Sequence, residues 1–169
     1  MYQEYCQLAD RFIYDMYSVT GGIDGWGHIK HTVRFGTMIA AGENPDLIFP
    51  VVLGCYLHDV GRGKEEPGER HGDAGYRFLK EQEDTVMSYF KRFGLTHELY
   101  NEIIMAIKDH DKGLVTSDVL TGSIWDADRL SLYRFKDKHI KIELLSTDSA
   151  RRLLHYADSF TKDFYLDFK

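Results

Sequence analysis

The chain has 169 residues and a mass of 19.6 kDa, 43% apolar and 14% aromatic, with a formal charge of −6 and a pI near 5.7. That composition fits a folded globule and excludes an intrinsically disordered chain. The acidic balance argues against a nucleic-acid backbone as partner, and no apolar run reaches the ~18 residues of a membrane span. Cys6 and Cys55 make no disulfide framework, and the opening residues do not read as a signal peptide, so the expected compartment is the cytoplasm.

In chain order, an aromatic-rich amphipathic pattern (Leu8, Phe12, Ile13, Met16) predicts a helix over 2–18, stopped by Thr20-Gly21-Gly22. A glycine-rich turn over 21–27 leads into a second helix over 28–41, ended by Gly42 and Asn44-Pro45. Asn44 caps a third helix over 45–60, with Pro45 in its first turn and Pro50 as a kink. A polar loop follows over 61–68, then helices over 71–83 and 84–93, broken by Gly94. Thr96 opens a helix that runs to Asp109, and Lys112-Gly113 ends it. Further helices are expected from Asp118 to Asp128 and over 146–160, with a charged connection from Lys136 to Lys141 between them. No segment sustains strand alternation, so the fold class is all-α, a compact helical bundle.

The third helix is the most apolar stretch, and it closes on Leu57-His58-Asp59-Val60-Gly61. An imidazole beside a carboxylate is costly in such surroundings unless the two are paired or hold a metal. Three other helices place similar groups on apolar stripes or at their ends. His31 shares a face with Phe35, Met38 and Ile39, and His110 continues the stripe of Tyr100, Ile103, Ile104 and Ile107. Asp128 lies at i+4 from Ile124 and i+8 from Leu120, whereas Asp126 lies with Val119 and Gly122 and is the poorer ligand candidate. Convergence of these groups on one metal site explains them better than four separate accidents. His71 opens its own helix. His28, at the mouth of the second helix, is expected to be solvated and to face substrate rather than act as an independent ligand. His97, His139 and His155 read as surface residues.

His31-Thr32-Val33-Arg34-Phe35, Leu57-His58-Asp59-Val60-Gly61-Arg62, His71-Gly72-Asp73-Ala74-Gly75, Ala106-Ile107-Lys108-Asp109-His110 and Asp126-Ala127-Asp128-Arg129-Leu130, in that order, resemble the HD-domain superfamily of metal-dependent phosphohydrolases. The resemblance covers about residues 26–130 and implies a single HD-like domain over 1–169, with the N-terminal and C-terminal helices packed on that core. It implies that His31, His58, Asp59 and Asp128 hold a first metal, and that His71 and His110 hold a second bridged through Asp59. Two departures stand out. Arg62, with Lys64 two residues on, replaces the lysine that follows the HD pair in many dinuclear members, and Asp111 stands where some have another histidine.

The implied activity is hydrolysis of a small nucleotide or related phosphate ester by a metal-activated water or hydroxide. Hydrolases of dinucleoside polyphosphates share a similar ligand order. One or two divalent transition ions suit the mixed donors, drawn from Fe, Mn, Co, Ni or Zn. Asp59, Arg62 and Lys64 are the expected catalytic residues. Arg62 and Lys64 on their glycine-flanked loop are also expected to bind the substrate phosphate, and Arg34 and Arg129 to contact substrate or orient carboxylates. Two other readings stay open: an HD-type diiron oxygenase and a non-catalytic nucleotide-binding module.

Overall fold

A computed structural model describes residues 2–16, 23–132 and 140–166, and every regular element among them is helical. Among the described residues eight α-helices follow one another: α1 (Tyr2–Met16), α2 (His28–Glu43), α3 (Ile48–Leu57), α4 (His71–Glu81), α5 (Glu83–Phe90), α6 (His97–Asp109), α7 (Val119–Ser131) and α8 (Asp148–Leu166). The expected stop at Thr20-Gly21-Gly22 and most of the charged connection, His139 included, lie outside the described residues. No described helix is long and apolar enough to cross a membrane.

The helix starts follow from local chemistry. Thr96 and Asp118 cap α6 and α7, their side chains accepting from Leu99 N at 3.2 Å and Thr121 N at 2.8 Å. Asn44 accepts from Asp46 N at 3.1 Å, but it caps a 3₁₀ turn over Pro45–Leu47 rather than α3 itself. Because α3 starts only at Ile48, Pro50 falls in its first turn. A proline there removes a donor that has no helical acceptor, so the kink expected at Pro50 is not required. The last two helices begin and end later than expected: α7 continues to Ser131, and α8 spans Asp148–Leu166.

Helix α3 is apolar on every side, and its neighbours explain why: α1, α2, α6 and α7 all pack on it. Its residues from Pro50 to Leu57 are all buried. α2 also packs against α7 and α8, and α4 against α6. One continuous apolar core results, running from Phe12 and Ile13 through Val51, Leu53 and Tyr56 to Ile104, Ile124 and Leu130. α3 therefore ends deep inside the molecule, and whatever follows Leu57 is delivered to the interior.

Candidate metal centre

His58 and Asp59 follow α3 directly, 0% and 5% exposed. The chain leaves them through tight turns, with Val60 N bonded to Leu57 O and Arg62 N to Asp59 O, each at 3.0 Å. Gly61 is required here: a Cβ would overlap the carbonyl of His71 and the amide of Gly75, so the loop passes hard against the start of α4. Gly72 has the same role on the far side, where a Cβ would stand 2.6 Å from Lys108 O. These two contacts set His71 beside the end of α6.

Side chains of six residues meet in this space. His28 Nε2 lies 3.0 Å from His58 Nε2, and both face Asp128 Oδ1, at 3.3 and 3.5 Å. On the other side, His71 Nε2 lies 3.0 Å from His110 Nε2. Asp59 stands between the pairs with its oxygens divided. Oδ2 lies 3.4 Å from His28 Nε2 and 3.5 Å from His58 Nε2; Oδ1 lies 3.5 Å from His71 Nε2 and 3.6 Å from His110 Nε2. In each of the sets His28–His58–Asp128 and Asp59–His71–His110, one ligand atom per residue lies within 4.8 Å of the others.

The protons decide what this arrangement wants. His58 Nδ1 donates to Cys55 O at 2.8 Å and His110 Nδ1 to Ile107 O at 2.6 Å, since a carbonyl can only accept. Ser131 Oγ donates to Asp128 O at 2.6 Å, so His28 Nδ1, 3.0 Å from that hydroxyl, is the donor to it. With Nδ1 protonated, each neutral ring presents a lone pair at Nε2. Facing lone pairs at 3.0 Å, flanked by two carboxylates, repel unless cations lie among them. Donor atoms each ~2.1 Å from a shared ion stand about 3–4 Å apart, which is the spacing here. The residues fit a divalent metal centre. Burial pushes the Asp59 and Asp128 carboxyls up, yet N–H donation and positive charge from the surrounding imidazoles, and Arg62 at Asp59, hold both well below the usual carboxylate range, so both are ionised and supply the negative charge a cation needs.

No family model and no curated protein matches the sequence. In structure, the chain resembles the crystal structure of a predicted HD superfamily hydrolase from an uncultured Thermotogales bacterium. The match covers 98% of this chain and 90% of that one, with a TM-score of 0.64 at 19% identity. The chain has the HD-domain fold.

Within this HD fold, the expected site residues divide. His58, Asp59, His71, His110 and Asp128 come together as described. His31 does not join them; His28 does. His31 is inward-facing, but the interior it meets is the seam with α8: its Nε2 lies 3.3 Å from Thr161 Oγ1, and its ring packs on Phe35 and Phe160. Spacing placed it correctly on the apolar stripe of α2 without revealing which neighbour that stripe faces. His28, taken as solvated, is 2% exposed. No local signal separates two histidines one turn apart; the long-range partner Ser131 does.

Asp126 is fully buried and lies at the start of α8, accepting from Ser146 N at 2.9 Å, Thr147 N at 2.8 Å and Thr147 Oγ1 at 2.9 Å. Arg129, expected to contact substrate or orient carboxylates, is a buried clamp that donates to Leu114 O and Leu144 O and pairs with the carboxylate of Asp126. Arg34 sets its guanidinium 4.3 Å over the Phe160 ring, toward α8. Arg62 is at the centre: its Nε lies 2.7 Å from Asp59 Oδ2 while over half of its side chain is exposed. Lys64 lies on the same loop, its Nζ 4.8 Å from the centre of the Phe78 ring. His97, on the surface, pairs with Glu83 at 2.8 Å.

Proposed function

We propose that the chain is a metal-dependent phosphohydrolase acting on a small nucleotide or related phosphate ester, with two divalent transition-metal ions drawn from Fe, Mn, Co, Ni or Zn. The observation that carries this reading is the division of Asp59, one oxygen toward His28 and His58, the other toward His71 and His110. A carboxylate so placed suits a bridge between two ions, with Asp128 completing one set.

When bound, such ions lower the pKa of a water ligand and neutralise phosphoryl oxygens, which lets an anionic ester accept a nucleophile at neutral pH. The chain's own groups do the rest. The Nδ1 donors to Cys55 O, Ile107 O and Ser131 Oγ keep the imidazoles in the ligating tautomer. Arg62 has one face on Asp59 and another toward solvent, so its guanidinium can turn from that carboxylate to grip an incoming phosphate with charge-assisted hydrogen bonds. Lys64 adds a second positive charge to the same rim.

The test is release of inorganic phosphate from a panel of nucleotides, dinucleoside polyphosphates and simple esters, using protein loaded in turn with Mn, Fe, Co, Ni and Zn. Turnover of at least one ester, abolished in Asp59→Ala, is the expected result. No hydrolysis across the panel overturns the proposal, and oxygen consumption by the iron form assigns the centre to an oxygenase.

A further inference from the structure

The four histidines of the centre have unequal partners. His58, His110 and His28 direct Nδ1 at neutral acceptors: two main-chain carbonyls and the Ser131 hydroxyl. His71 Nδ1 faces a carboxylate instead, Asp111 Oδ2, at 3.4 Å.

Asp111 follows His110 in the chain, within the 3₁₀ turn His110–Lys112. Its two oxygens are spread across the start of α4. Oδ1 accepts from Arg70 Nη1, and Oδ2 from the main-chain N–H of Gly72 at 3.4 Å. α4 receives no cap from the side chain of its own N-cap residue, Arg70. The first turn of a helix carries amide donors without helical acceptors, and Asp111 supplies an acceptor from across the centre. Arg70 is held in turn by Asp73 Oδ2 at 2.6 Å and Lys108 O at 3.4 Å. One residue thus touches the ring of His71, the main chain after it and the arginine before it, while standing next to His110.

We infer that Asp111, held by Arg70, is a positioning residue of the Asp59–His71–His110 set: it docks the start of α4 on the turn that carries His110 and receives the Nδ1 proton of His71. The Nε2 lone pair of His71 is thereby aimed at His110 and Asp59. At 3.4 Å the ring contact is long for a hydrogen bond. Ligation at Nε2 makes Nδ1–H a stronger donor and draws it toward the carboxylate. The inference rests on the proposed metal reading of this set.

The experiment titrates Mn²⁺ by calorimetry into the metal-free 169-residue chain and reads the His71 tautomer of the same metal-free protein by ¹⁵N NMR. Wild type binds two ions and shows His71 protonated at Nδ1. Asp111→Ala weakens one binding step about 10- to 100-fold, leaves the other within twofold, and moves the His71 proton toward Nε2. Asp111→Asn retains an oxygen that can accept from Nδ1, so it folds as wild type does and recovers most of the lost affinity. Asp111→Ala that matches wild type in both binding steps and in tautomer overturns the positioning role alone, as does an equal loss at both steps. A wild-type chain that binds a single ion overturns the metal reading of the set and the positioning role with it.

Discussion

His28 and His31 stand one helical turn apart on α2, and the structure gives them different tasks. His28 points between His58 and Asp128; His31 fills the seam with α8 against Thr161 and Phe160. The expected outcome of His28→Ala is loss of one metal equivalent per chain, whereas His31→Gln keeps wild-type metal content and loses stability only. Elemental analysis of both variants, expressed in metal-replete medium, checks this. Arg62 makes a second residue-scale case. Arg62→Ala is expected to lower kcat/KM on the true substrate about tenfold to hundredfold, the ~1.5–3 kcal/mol that charged hydrogen bonds supply. Its metal content stays at the wild-type level, because an arginine supplies no ligand atom. Unchanged kinetics would reduce the loop to a solvated turn.

Helices α4 and α7 each carry a proposed ligand to the centre, and each is fixed by contacts remote from the atoms that face it. α4 is held by close main-chain approach at Gly61 and Gly72. Gly72→Ala forces its methyl against Lys108 O and pushes α4 off the end of α6, at a cost of about 1–3 kcal/mol. The expected signature is selective loss of metal at the His71–His110 pair with the His28–His58–Asp128 set intact, measured as stoichiometry after dialysis. α7 is held at the other end by Asp126, whose buried carboxylate satisfies the amides of Ser146 and Thr147. Asp126→Ala strands those buried donors and is expected to destabilise the fold by about 3 kcal/mol, seen as a lower Tm. The folded fraction is expected to keep its metal, which separates Asp126 from the proposed ligand Asp128.

Across the whole molecule, the helical elements were legible because amphipathic stripes, caps and glycine stops act within one or two turns of chain. The apolar run of α3 announced a buried helix end, and the HD pair at that end marked the centre. What sequence could not give is the identity of partners distant in the chain. His28 is selected by Ser131, 103 residues away, and Asp111 reaches His71 across 40 residues at a helix start that lacks its own cap. Arg129 and Asp126 carry the charges expected of substrate or metal groups, yet they hold together the segments around Leu114, Leu144 and the start of α8. Charge type alone does not distinguish a clamp from a ligand when both are buried.

In the proposed centre Asp59 joins two metal ions. Anomalous diffraction at the manganese edge, from crystals of the Mn²⁺-loaded chain, tests it most directly. Two peaks about 3.5–4 Å apart are expected, one among His28, His58 and Asp128, the other against His71 and His110, with Asp59 between them. A single peak, or a peak ligated by His31 in place of His28, would contradict it.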